Sequence, residues 1–420
     1  MERQQTPGGV DRPRLRSVAA ALTSLMALAA TSLVAGPTVA ATPTSMGACA
    51  LPRTDVHHSA GIDTWNKAYP RPDHALDAVM IFLSFPDSRP MTSPQELVAD
   101  HFPATSQFYE RASYGKFALR VRPGTRWLKM PHPSTSYRIT RDWDPVRRTE
   151  YLRDALRVSD PGVDFSKFDL VYLVADPDAP GVDSDATKVV NFDAPMRADG
   201  TDIKRAVTVF ERHPPDHNVL AHETGHVFDL ADLYHRPVDG KGDWDTYVGD
   251  WDVMGSQFGL DPDFFGWHKW KLGWLDPRQV RCVGPTGTTL LTLEPIEAAP
   301  AVGGRAGTRL AVIRTAEDSV VAIEARAATG NDKHTCTEGV LIYKVRGGKA
   351  SGDGPIEVMD AHPHSEACWD RSVYPELADA PLGPGETFTV PGNGVRITVE
   401  VADRTSTGAY TVKITTSPPE

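Results

Sequence analysis

Residues 216–232 read Asp216-His217-Asn218-Val219-Leu220-Ala221-His222-Glu223-Thr224-Gly225-His226-Val227-Phe228-Asp229-Leu230-Ala231-Asp232, directly after Pro214 and Pro215. The prolines mark a break and Asp216 is a good N-cap, so a helix is expected to follow. On it His222 and His226 stand four residues apart, which sets both imidazoles on one face. Two ring nitrogens so placed can converge on one zinc ion. Glu223 lies about 100° round the helix from His222, where it can reach a water at that metal without being a ligand. Val219, Leu220, Val227 and Leu230 form an apolar face that would bury the helix. The plainer alternative is an amphipathic helix with two surface histidines. The capping residue, the apolar face and an acidic residue downstream all weigh against it.

That acidic residue is Asp232, the candidate third ligand. In a continuous helix residue 232 would point about 240° away from His226. The chain must therefore turn sharply after His226, through Asp229, and Asp tolerates the left-handed conformation better than most non-glycine residues. Asp250, Asp252 and Asp261 are competing carboxylates from a later segment.

Outward from this stretch, residues 78–85 and 170–175 are continuous apolar runs of strand length, 206–210 a third, and 117–121 alternates like a strand. A helix is expected over 93–115, with Ser93 and Glu96 as a capping box and Gly115 as its end, and a second over 148–158. Strands alternating with helices predict an α/β (α+β) layer with a mixed sheet. After about residue 278 come short β-branched runs at 288–293, 309–314, 320–324, 339–345, 387–390, 395–401 and 410–415. They predict a small all-β C-terminal domain, sandwich or barrel, with a role in packing or substrate positioning.

The first forty residues differ from the rest. Arg12, Arg14 and Arg16 precede an apolar run from 18 to 34, and small residues follow at 38–41. This is the order of a secretory signal peptide cut near Ala40 or Ala41, rather than a retained anchor. Residues 42–75 read as a lead-in strap or short pro-segment, 76–277 as the main domain and 278–420 as the β-rich one. The chain has 420 residues, 40% hydrophobic and 24% charged, with net charge -11, which argues against nucleic acid as a partner. No later stretch is apolar enough for a membrane span, so a secreted extracellular monomer is expected. Four cysteines in an exported chain suggest two disulfides. Of the three pairings, Cys49 with Cys282 and Cys336 with Cys368 is favoured. A Cys49 thiolate capping the metal in a latent form is the alternative. The Asp-rich stretch 176–185 is either a structural calcium loop or a solvated surface loop.

Several motifs in order resemble the immune inhibitor A-type family of secreted bacterial metallopeptidases. They are His222-Glu223-Thr224-Gly225-His226 with Leu230-Ala231-Asp232-Leu233-Tyr234, then Val248-Gly249-Asp250-Trp251-Asp252-Val253-Met254-Gly255-Ser256 and Gly266-Trp267-His268-Lys269-Trp270-Lys271-Leu272-Gly273-Trp274. Upstream, Ala112-Ser113-Tyr114-Gly115-Lys116 and Asp164-Phe165-Ser166-Lys167-Phe168-Asp169 also match, so that the resemblance spans about residues 76–277. It implies a metzincin-like catalytic domain, Asp232 as third zinc ligand and Met254 on a turn beneath the metal. Such proteases place glycine where this chain has Asp229.

The expected activity is zinc-dependent endoproteolysis of protein or peptide substrates, with Glu223 as general base and His222, His226 and Asp232 as ligands. Tyr234 and Tyr247 are candidate partners for the oxyanion. His217, His235 and His268 are read as ordinary histidines, and Phe264, Phe265, Trp267, Trp270 and Trp274 as packing. A peptidase-like binding module, or a zinc hydrolase acting on something other than protein, are the competing functions.

Overall fold

Strand β1 (Ala75–Ser84) contains the first apolar run, and its side chains alternate between two cores. Leu76, Ala78, Met80 and Phe82 enter one, Val79, Ile81 and Leu83 the other. This is a computed structural model, and it describes residues 47–418 except 213, 216–217, 238–240, 299–306 and 393. The leader reading and the Asp216 cap fall outside those residues.

Next come helices α1 (Pro94–His101) and α2 (Ala104–Ala112). Ser93 and Glu96 do form the expected capping box. The single helix expected over 93–115 is broken at Phe102-Pro103, because proline lacks an N–H and disfavours helix in the residue before it. Strand β2 (Ala118–Lys129), helix α3 (Pro145–Ser159) and strand β3 (Leu170–Ala175) follow. Asp144 caps α3 by accepting from the amides of Val146 and Arg147, so the helix starts earlier than 148. Strands β4 (Lys188–Ala198) and β5 (Thr201–Val209) complete a sheet of order β2-β1-β3-β5-β4. All its pairings are parallel except β4 against β5. Every residue of β3 is buried, as expected for a central strand covered on both faces. Edge strand β4 has no apolar run, and its register slips between Asn191 and Met196.

Helices α4 (Val219–Val227) and α5 (Gly266–Lys271) lie between this sheet and the β-rich part of the chain. That part comprises β6 (Val280–Val283), β7 (Gly287–Leu293), β8 (Leu310–Arg314), β9 (Ser319–Arg326), β10 (Gly339–Arg346), β11 (Ile356–Val358), β12 (Thr387–Thr389), β13 (Arg396–Arg404) and β14 (Tyr410–Ser417). It forms two sheets, β11-β10-β9-β8-β6 and β12-β13-β14-β7. The first is a middle layer. Val312, Ala322, Leu341 and Tyr343 on one face share a hydrophobic cluster with α4 and β1. Ala311, Ile323, Val340 and Ile342 on the other pack against Val399, Val412 and Ile414. Residues Met46–Glu420 thus make one compact unit with a mixed α/β fold. The aromatic residues 264, 265, 267, 270 and 274 are all buried in it.

Both favoured disulfides are present, Cys49–Cys282 and Cys336–Cys368, so Cys49 is not a free thiol. Among the described residues no helix is long and apolar enough to cross a membrane. In the Asp-rich stretch, Asp176 accepts from Ser88 and the Asp178 amide, Asp178 from the Met91 amide, and Asp183 from the Asp185 amide.

Candidate metal centre

Helix α4 is buried on every side, which its apolar residues permit only if its polar ones find partners. Tyr109 donates to the carbonyl of Ala221 at 2.6 Å, and Tyr172 bonds the Thr224 hydroxyl at 2.8 Å. The helix begins at Val219 after Asn218, which takes a left-handed conformation. It ends in a Schellman arrangement: the Leu230 amide donates to the Gly225 carbonyl, and the Asp229 amide to that of His226. This motif needs a left-handed residue, and Asp229 supplies it with φ +64°. The reversal lets the Leu230 carbonyl accept from His226 Nδ1 at 2.8 Å and carries Asp232 back over the histidines.

His222 Nδ1 donates to the carbonyl of Val253 at 2.8 Å. With both Nδ1 protons so used, the two Nε2 atoms face each other as lone pairs 3.2 Å apart. Asp232 Oδ1 lies 3.3 and 3.0 Å from them, buried and without a donor. Three such acceptors repel one another unless a proton or a metal cation lies between them, and His, His and carboxylate are a donor set that would suit zinc. Among the described residues this is the one cluster of its kind, its ligand atoms within 4.8 Å of one another. Burial disfavours a charged His226, but the Asp232 carboxylate outweighs it and, with no metal, raises that imidazole to about 9. A proton therefore competes for the position a cation would take.

Glu223 lines the same cleft, of about 810 Å³. Its Oε2 accepts from the Val189 amide of β4 at 2.7 Å. Burial raises its carboxyl, and the charges of His226 and His222 oppose this. Met254 lies under the helix: a Cβ on Gly225 would come within 2.4 Å of its sulfur, so any larger residue there must displace the Met254 side chain. Asp252 shapes the turn beneath, accepting from the amides of Met254 and Phe265 and from His268 Nδ1.

Of the competing carboxylates, Asp252 is thus occupied, and Asp250 accepts from Ser372 and from the amides of Val373 and Leu260. Asp261 sits on a turn and joins no metal cluster. Of the two tyrosines, Tyr234 lies parallel to His222, centroids 6.3 Å apart. Burial first, then the Asp232 and Glu223 carboxylates, push its phenol far up. Tyr247 is elsewhere, its ring against His235. His217 lies outside the described residues.

Remote segments complete the wall. Ser351, between β10 and β11, donates to Asp232 Oδ2 at 2.7 Å and accepts from the Asp232 amide at 2.9 Å. His57 and His58 come from the lead-in segment and line the cleft. Periodicity marks none of these three; the adjacent histidine pair was the one visible hint. Compared with known proteins, the chain matches no family model and no curated protein.

Proposed function

We propose that this chain is a zinc-dependent endopeptidase of metzincin-like type, with His222, His226 and Asp232 as metal ligands. The observation that carries the reading is the convergence of two imidazole lone pairs and an orphaned carboxylate oxygen on one point. Zinc held there supplies a Lewis acid and lowers the pKa of a bound water. The chain's own residues do the rest. Glu223, in the turn of helix between the two histidines and open to the cleft, takes a proton from water and returns it to the leaving amine. The Val189 amide holds its carboxylate by one oxygen, leaving the other for exchange. Tyr234, beside His222 and Asp232, keeps its proton, and would have to turn its hydroxyl from Asp232 to donate to an oxyanion. Ser351 and the carbonyls of Val253 and Leu230 orient the ligands, as partners behind metal ligands do. The cleft, about 810 Å³, is of the size that takes a drug-sized ligand or a short stretch of substrate. The paired cysteines, the leader-like first forty residues and the resemblance of residues 76–277 support a secreted protein.

Incubation with unfolded casein, with and without a chelator and beside Glu223→Gln, tests this. Chelator-sensitive cleavage that the variant loses is expected. Cleavage that survives the substitution sinks the role of Glu223.

A further inference from the structure

A left-handed residue after a helix is cheapest as glycine, yet here it is Asp229, with φ +64°. Its side chain is fully buried and fully used. Oδ1 accepts from His58 Nδ1 at 3.0 Å, and Oδ2 from Arg53 Nη1 at 2.6 Å. Lys271 on α5 donates to the Asp229 carbonyl, and its ammonium lies 3.6 Å from Oδ2. One carboxylate thus ties the turn after His226 to α5 and to the lead-in segment.

That segment is itself fastened along its length. Cys49 is bonded to Cys282. The carbonyls of Ala50, Ser59 and Ala60 accept from Arg314, Lys271 and Trp267 respectively. His58, 3% exposed, lays its ring on that of His226, with centroids 5.5 Å apart and planes inclined by 25°.

We propose that residues 49–62 are a permanent part of the metal centre and that His58 and Asp229 are positioning residues for it. The strap holds the reversed turn through Asp229 and backs the His226 ring through His58, so that Asp232 meets both imidazoles. This rests on the metal reading above. The strap is therefore not a removable pro-segment. Were Asp229 only a turn-former, glycine would serve better; as an anchor it has no substitute in glycine.

The test uses the full chain and compares the unaltered protein with Asp229→Gly, His58→Phe, Arg53→Ala and Arg53→Lys. Zinc affinity is measured by competition with a chromophoric chelator. The cobalt(II)-loaded protein's visible spectrum reports coordination geometry, and circular dichroism reports the fold. Asp229→Gly, His58→Phe and Arg53→Ala should each weaken zinc about tenfold to a hundredfold, the range for partners behind metal ligands. Their cobalt bands should shift while the circular dichroism stays the same, and Arg53→Lys should recover most of the affinity. Zinc binding and cobalt bands unchanged in Asp229→Gly and His58→Phe overturn the proposal. Should Asp229→Gly not fold, Arg53→Ala decides, since that guanidinium is partly exposed. An unaltered chain that binds no zinc overturns the metal reading itself, and this inference with it.

Discussion

Two segments meet at the candidate metal centre and were written into the chain in different ways. Residues 222–232 carry the three proposed ligands within one helix and its reversing turn: the i, i+4 spacing pairs the two histidines, and the turn through Asp229 brings Asp232 to them. Residues 53–59 carry partners of that turn, and His58 stands 171 positions from the Asp229 it bonds. The first kind of information is local and periodic. The second exists only as a tertiary contact, so a site can be readable in its ligands and silent in its supports.

Substitutions on each side can break or sharpen that contrast. The largest effect belongs to the local side. Glu223→Gln should lower hydrolysis by roughly 10² to 10⁴-fold, the usual contribution of general acid–base catalysis, while bound zinc measured by metal analysis stays constant. Loss of the zinc as well would move Glu223 among the ligands. On the remote side, Ser351→Ala removes the donor to Asp232 Oδ2. Zinc affinity by chelator competition should fall about tenfold, at the low end for such a partner. An unchanged affinity would mean that the β-rich part only covers the site.

Gly225→Ala is local again. The added methyl meets Met254 Sδ at 2.4 Å, and overpacking of this kind costs about 1–3 kcal/mol, readable as a lower urea midpoint. A variant as stable as the parent would show that Met254 yields freely.

The smallest effect concerns acid. Burial holds His58 and His101 each at about 4, below the ordinary 6.5. Between those values the unfolded chain binds the protons and the folded one does not, so stability is lost as pH falls from 6.5 toward 4. Asp229 runs the other way in origin: burial opposes its charge, but His58 and its cationic neighbours hold it at about 2, so its contribution is full above the ordinary 3.8 and is lost as pH falls from there through 2. His58→Phe and His101→Phe should each flatten the slope of stability against pH between 4 and 6.5. A slope untouched by both would place the acid sensitivity elsewhere.

The same contrast explains which parts of the fold were legible. Strands β1 and β3 are buried on both faces and read as unbroken apolar runs. The seven β-branched runs after residue 287 each fall on a strand: β8, β9 and β10 sit in the middle layer and are apolar on both faces, while β13 and β14 alternate. Strand β4 escaped notice: it is an edge, carries Pro195 and changes register, so neither period nor composition marks it. Pro103 divided a helix that its flanking pattern had joined. The β-rich part looked like a separate domain of packing residues, yet its β10–β11 loop supplies Ser351 to Asp232. Tyr234 and Tyr247 were equivalent in sequence, and only the turn through Asp232 separates them. Asp229 was legible as a strained turn but not as an anchor, since its partners lie in another part of the chain.

The most direct measurement is a zinc titration of the metal-free full chain beside Asp232→Ala. We expect one zinc per chain in the parent and a loss of affinity of at least a hundredfold in the variant, with both equally folded by circular dichroism. Full zinc occupancy in Asp232→Ala, or none in the parent, would contradict a metal centre built from His222, His226 and Asp232.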